Sequence, residues 1–545
     1  MSLTTRIGEV LRCSAVPFGI WYLLWWLDVF TLQGQRIPER TMEAIYLFAQ
    51  PFCYACLCNG LMILLGRFRR LLVPLYAYLF LIVALEFSLE RIFGSYFTGD
   101  LLQIALNSSW DEIVTVVGGA LSVTTVLVVG GLACAGVLLA RLLFRPRCQI
   151  GRMQRVCAFA VSCLPFLMMD VGYMKVSYIP RQTLAALVIS DTIGAYRDDA
   201  ELWKACRDPL PFGDVKIDRR GAQPFGVIVI GESMTRNNMQ IYGYGRATTP
   251  GMCSIADGEV FAFSDVLASW SNTQGALRHL LTELELDGNR RPMCALPEVC
   301  RRAGYACILL SNQSHWGAYD TLDTMLFSAC SLAVWIGELK SERRLYDVDM
   351  VGMLDEMAAT NAARPIMSFV HLAGSHSPCR NYPRELEVFP EGLSDAFNGH
   401  LAEDGKRYYN RYDNTIALAD RTFCGLVGVV RKTHRPGFVL LISDHGETPR
   451  AGAMRSMRHR DLWEIPMVVW VSEEYRRTYP ETVRALRESV SKKLQQDQLF
   501  LGLLTLSQVI GYSRSEPEGN FLSPRFRGRE RRLVENGQAV YEDDK

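Results

Sequence analysis

Net charge is almost absent from this 545-residue chain: 58 lysines and arginines stand against 57 aspartates and glutamates, a formal +1. Without a surplus of positive charge it does not hold nucleic acid by bulk electrostatics, and that partner is excluded on this ground. Disorder is excluded too, because 49% of the residues are hydrophobic and only 21% charged. The length excludes a small stapled domain and sets an expectation of two or more domains. Histidine is missing from the first 278 residues, and all eight (279, 315, 371, 376, 400, 434, 445 and 459) come later. The first apolar stretch does not read as a cleaved signal peptide, since it is long, Trp-rich and without a small-residue cleavage site. A mean hydropathy of +0.08 suggests one large globular protein. That average misleads, because the apolar residues are unevenly spread.

Five apolar stretches of membrane-spanning length precede residue 175, at about 14–33, 45–65, 71–89, 118–140 and 156–174. Such a succession is rare in water-soluble cores, so residues 1–175 read as an α-helical transmembrane domain with five spans. Arg6 and Arg12, then Arg67, Arg69 and Arg70, then Arg141, Arg145, Arg147, Arg152 and Arg155 mark the cytoplasmic segments by the positive-inside rule. Everything after about residue 175 is then exported, into the periplasm if the cell is Gram-negative. The stretch between spans three and four, with Asn107, Trp110 and Glu112, is amphipathic and on the exported side. A connecting helix and a lipid-headgroup site fit it equally.

Residues 176–224 read as an interfacial linker segment containing Asp208-Pro-Leu-Pro-Phe-Gly, and 225–545 as an α/β domain. Short apolar runs at 225–230, 305–310, 366–370, 438–442 and 466–470 suit strands buried on both faces of a parallel sheet. Active sites of such sheets lie beyond the carboxyl ends of the strands. Polar residues follow three of these runs directly: Gly231-Glu232-Ser233, His371 through His376, and Ser443-Asp444-His445-Gly446-Glu447. Glu, Asp and His gathered at strand ends are the donors a zinc site needs.

A nucleophile is sought between these anchors, in Ser269-Trp-Ser-Asn272-Thr273 ahead of a helical pattern. Thr273 at a helix start reads as a backbone cap or as a nucleophile beside free amides that favour a phosphoryl anion. Position alone does not separate the two.

Gly231-Glu-Ser-Met-Thr-Arg236 through Tyr242-Gly-Tyr244-Gly-Arg246 and Thr248-Thr-Pro250 resembles the signature of the phosphoethanolamine transferases, inner-membrane enzymes with an alkaline phosphatase/sulfatase-like domain. The resemblance extends to the five spans, Asn272-Thr273, Ser311-Asn312-Gln313, His371–Pro378, Tyr412-Asp-Asn-Thr415 and Ser443–Glu447. It implies zinc on Glu232, Thr273, Asp444 and His445, with Thr273 as nucleophile. His371, His376 and His459 are implied for proton transfer, phosphate contact or a second metal. Asn107 and Glu112 are the implied contacts to the donor lipid, although Ser108-Ser109 stands where the family pattern has Thr.

The resemblance further implies transfer of phosphoethanolamine from phosphatidylethanolamine, through a phospho-threonine intermediate, to lipid A or core of lipopolysaccharide. It also favours disulfides among the eight exported cysteines (206, 253, 294, 300, 307, 330, 379 and 424), which lack the paired CxxC spacing of a thiolate zinc site. A phosphoglycerol transferase acting on glucans or a lipid-linked polymer is the neighbouring alternative. An inactive membrane-anchored glycolipid-binding module is another, and it predicts loss of a ligand where all four stand. A sulfatase is disfavoured by the lack of a Cys/Ser-x-Pro-x-Arg motif. Arg525, Arg527, Arg529, Arg531 and Arg532 near the C-terminus suit either an anionic glycolipid or a solvated surface.

Overall fold

The computed structural model describes residues 15–24, 41–78, 80–81, 123–144, 151–171, 212–286, 294–313, 325–339, 343–376, 379–451, 459–535 and 538–541. Asn107, Glu112, Cys206 and the linker up to residue 211 lie outside the described residues. Those described divide into two compact units, one within the first 194 residues and one from residue 195 onward.

The first unit contains α1 (Thr41–Leu65), α2 (Val123–Leu143) and α3 (Arg152–Val171). Trp21, Ala55, Met62, Tyr76 and Leu143 pack at its centre. The polar tips of the two rings find partners there, the Trp21 indole on Met62 Sδ at 3.0 Å and the Tyr76 hydroxyl on the Gly136 carbonyl at 2.7 Å. Among the described residues this unit exposes fourteen large apolar side chains, Leu71, Val137, Met153 and Val161 among them, against four in the other unit. Outward apolar side chains at that density are costly in water and suit a lipid solvent. Counted over its described residues, no helix is long and apolar enough to cross a membrane, so the number of spans stays an expectation of the sequence.

The second unit is built on β1 (Phe225–Gly231), β2 (Val260–Ala262), β3 (Asp265–Leu267), α4 (Thr273–Leu280), β4 (Ala306–Ser311), β5 (Leu332–Trp335), β6 (Ile366–His371), α5 (Glu403–Arg431), β7 (Gly437–Ser443), β8 (Met467–Val471) and β9 (Lys493–Gln495). A seven-stranded sheet runs in the order β2-β8-β7-β1-β6-β4-β5. Strands β7, β1, β6, β4 and β5 are mutually parallel. Alternate residues feed two cores, Ile228 and Ile230 on one face, Val227 and Val229 on the other. Both faces are covered, which explains why the strands read as unbroken apolar runs.

The run at 466–470 departs from the expected parallel arrangement. Strand β8 lies antiparallel to β7 and to β2. The chain between β7 and β8 forms no α-helix over its described residues, and a strand returning without a crossover helix comes back antiparallel. An apolar run carries no signal of direction.

The expectation of disulfides is corrected for the described cysteines, none of which is joined to another. Cys294, Cys300, Cys307 and Cys330 are buried in one apolar core, where a thiol packs as a small hydrophobe. Burial pushes Cys307 up to about 12 and Cys300 well above its usual value, so both stay protonated and unreactive.

Candidate active site

Register places the site. Ile230 of β1 lies opposite His371 of β6 and Ile442 of β7, and Gly231 lies opposite Ser443. Glu232, His371 and Asp444 therefore emerge together at the carboxyl edge of the sheet. Ser233, two residues past β1, has φ +54°, an uncommon left-handed conformation for a side-chain-bearing residue. Several bonds hold that turn. Ser233 N donates to Asp444 Oδ1 at 2.8 Å, Met234 N to Ser443 Oγ at 2.9 Å, and Thr235 N to the Tyr412 hydroxyl at 2.8 Å.

Glu232, Asp444 and His445 bring one ligand atom each within 4.8 Å of one another, all three residues buried. His445 Nδ1 faces the Gly446 carbonyl at 2.8 Å, and because a carbonyl only accepts, Nδ1 carries the proton. Its Nε2 lone pair then points at Asp444 Oδ2 at 3.3 Å and Glu232 Oε1 at 3.9 Å. Asp444 Oδ2 is buried without a hydrogen-bond partner. Two buried carboxylates and a ring lone pair converging on one point repel unless a cation lies between them. One nitrogen and two oxygens are a fitting donor set for zinc, with room in the set for a hydroxyl. Gly446 is required beside this turn, since a Cβ there would stand 1.9 Å from the Asp461 carbonyl oxygen.

The fourth expected ligand joins them. Thr273 is the first residue of α4, and its hydroxyl donates to Glu232 Oε2 at 3.3 Å. The cap of that helix is Asn272, whose side chain accepts the Gly275 N–H at 2.9 Å. Capping is thus done by the neighbour, and the Thr273 hydroxyl is turned toward the acids.

Around this cluster stand residues that the apolar pattern alone does not single out. Gln313 Nε2 donates to Glu232 Oε2 at 2.9 Å and to the Leu372 carbonyl at 2.6 Å. Buried Asp347 accepts from Asn312 Nδ2 at 2.7 Å and from the N–H groups of Ala373 and Gly374, fixing the turn after His371. The four residues Tyr412 to Thr415 on α5 each clip a different segment. Tyr412 donates to the Ser233 carbonyl at 2.9 Å, and Asp413 receives Asn238, Tyr244 and Arg246. Asn414 Oδ1 accepts from Val388 and Phe389, and Thr415 meets Ser375 of the His371–His376 turn at 2.8 Å. Burial pushes the Asp413 carboxyl up to about 6 despite these donors.

His371 is fully buried at the end of β6, while His376 and His459 are partly exposed. His459 Nδ1 lies 3.4 Å from Asp461 Oδ2. None of the three belongs to the Glu232–Asp444–His445 group. Of the tail arginines, Arg531 pairs with Asp265 at 2.6 Å and Arg529 with Glu285 and Asp497, so these two serve the fold internally.

The family model described as Sulfatase matches residues 224–509, more than half of the chain. Among curated proteins, phosphoethanolamine transferase EptC of Escherichia coli (strain K12) is 27% identical over 329 residues, covering 57% of this chain and 55% of its own. Phosphoethanolamine transferase CptA of Salmonella typhimurium is 27% identical over 319 residues, covering 55% and 53%. The chain spans about half the length of the curated relatives it matches. Among solved structures, the C-terminal periplasmic domain of the Escherichia coli EptC in complex with Zn aligns at 25% identity with TM-score 0.55, over 61% of this chain and 96% of that one. The integral membrane lipooligosaccharide phosphoethanolamine transferase A of Neisseria meningitidis shares the fold at 19% identity and TM-score 0.62, over 94% and 98%. The chain belongs to the sulfatase family, and the resemblance its motifs bear to the phosphoethanolamine transferases holds.

Proposed function

We propose that this chain is a zinc-dependent phosphoethanolamine transferase of the bacterial inner membrane, working on the periplasmic side. Its donor is phosphatidylethanolamine and its acceptor is lipopolysaccharide, at lipid A or core. The observation that carries the reading is the Thr273 hydroxyl facing the buried Glu232–Asp444–His445 group. The relatives' names supply the transferred group. Five spans over residues 1–175 and a linker to 224 would hold the catalytic unit beside its lipid donor, raising its effective concentration. The outward apolar side chains of the first unit support that setting.

Bound zinc, held by Glu232, Asp444, His445 and the Thr273 oxygen, supplies Lewis acidity that lowers the hydroxyl pKa and offsets the charge of the phosphoryl group. Thr273 Oγ1 attacks the phosphorus, and its proton leaves toward Glu232 Oε2, which the hydroxyl already faces. The bond from phosphorus to the diacylglycerol oxygen breaks, and one of His371, His376 and His459 protonates that oxygen. A phosphoethanolamine ester of Thr273 remains. An acceptor oxygen then attacks the same phosphorus, passing its proton to the histidine that protonated the diacylglycerol oxygen, while the bond from phosphorus to Thr273 Oγ1 breaks and the proton held at Glu232 returns to that oxygen. Asn107 and Glu112 are proposed to contact the donor headgroup.

Mass spectrometry of envelope glycolipids from cells carrying the parent chain or Thr273→Ala tests the reading. Phosphoethanolamine on the acceptor with the parent and none with the variant is the expected result. Equal modification by both refutes the role of Thr273, and an added phosphoglycerol group refutes the donor.

A further inference from the structure

We propose that Gln496 is a positioning residue for this transfer, whose side-chain amide fixes the gap between the loop carrying Thr273 and the turn carrying Asp444 and His445. The proposal rests on the roles given to Thr273 and the ligands above. Strand β9 pairs in parallel with β3, Lys493 opposite Asp265 and Gln495 opposite Leu267, and brings Gln496 alongside the chain leading to Thr273. Gln495 Nε2 donates to the Ala268 carbonyl at 3.1 Å, and Asp497 N donates to Ser269 Oγ at 3.0 Å. Between these, Gln496 Oε1 accepts the Ser269 N–H at 2.7 Å. At its other end, Gln496 Nε2 donates to the carbonyls of Ser443 at 2.8 Å and Asp444 at 2.6 Å.

One amide thus grips two segments far apart in sequence, four residues before the nucleophile on one side and at a metal ligand on the other. Gln496 is 0% exposed, so water does not replace it. Ser269 to Asn272 lie in no strand or helix, and such a stretch takes its position from bonds like these. An amide offers two donors and an acceptor in one rigid plane, which suits it to set a distance. Supporting residues of this kind decide whether reacting atoms sit within about half an ångström of productive geometry.

The test uses the full-length, zinc-loaded chain in detergent with short-chain phosphatidylethanolamine and saturating lipopolysaccharide as acceptor, following diacylglycerol release. Gln496→Glu keeps the acceptor, loses both donors and sets an oxygen against two carbonyls. Gln496→Met keeps the length without charge, and it carries the comparison if the Glu variant does not fold. A displacement of about 1 Å costs roughly 100-fold in rate. The expected result is kcat down about 100-fold, KM within about two-fold, unchanged zinc per chain by elemental analysis and a cooperative melt. An unchanged kcat in a folded variant overturns the proposal. So does a loss that tracks lost zinc and is restored by added zinc, because Gln496 would then act through metal retention. Thr273→Ala is run alongside: release at the parental rate by that variant refutes the underlying reading, a failure distinct from a silent Gln496.

Discussion

Asp444→Asn should reverse the effect of zinc on stability without disturbing the fold. In the parent, Asp444 Oδ1 accepts from Ser233 N and His445 N, while Oδ2 is buried without a hydrogen-bond partner 3.3 Å from His445 Nε2. An Asn keeps its oxygen on the two N–H groups and turns its NH2 toward that ring nitrogen, whose lone pair accepts it. One new buried hydrogen bond contributes about 1 kcal/mol, and loss of one of two neighbouring buried charges adds to it. For a unit of this size that raises the melting temperature by about 2 °C. Zinc acts the other way: at a thousand-fold excess over its dissociation constant it stabilises the parent by about 4 kcal/mol. The variant, lacking an anionic ligand, should gain close to none of this. Thermal melts of both proteins in chelator and in zinc give four values that should cross. A variant that melts below the parent in chelator and gains as much from zinc would refute the reading of this cluster.

Three further outcomes follow from single contacts. Asn272→Ala removes the cap of α4 and should cost about 1 kcal/mol, read as a lowered melting temperature with the sheet intact by circular dichroism. Tyr412→Phe strands the Thr235 N–H and the Ser233 carbonyl, so about 2 kcal/mol or more is expected, with weaker zinc binding by competition against a chelating dye. His279 is buried with its Nδ1 on the Gly275 carbonyl, and burial together with Arg278 pulls its pKa down to about 3. The unfolded chain takes up that proton first as pH falls. The neutral ring's contribution is therefore full above about 6.5 and lost toward 3, about 2 kcal/mol of it by pH 5. Melting temperature against pH should fall less steeply for His279→Asn than for the parent, and equal slopes would count against the shift.

Much of the site was legible in the sequence because its chemistry sits where periodicity changes. Glu232, His371 and Asp444 each follow an apolar run, and Thr273 opens a helical pattern. The direction of β8 was not legible, since a strand buried on both faces reads alike in either sense. Whether Thr273 or its neighbour caps α4 depended on which side chain turns inward, a tertiary fact. The Tyr412–Thr415 motif was visible as a pattern, but its four separate clips reach partners 25 to 179 residues away. Gln313, Asp347 and Gln496 act the same way, through single long-range hydrogen bonds that leave no period in the chain. The cysteines misled because their number suggested pairing, while their places in one apolar core only the fold could give.

The covalent step is the centre of the account, and one measurement meets it directly. The zinc-loaded chain is incubated with phosphatidylethanolamine and no acceptor, then digested for peptide mass spectrometry. A phosphoethanolamine increment on the peptide carrying Thr273, fragmenting at that residue and discharged by added lipopolysaccharide, is the predicted result. An unmodified Thr273 peptide while diacylglycerol accumulates, or the increment on another residue, would contradict it.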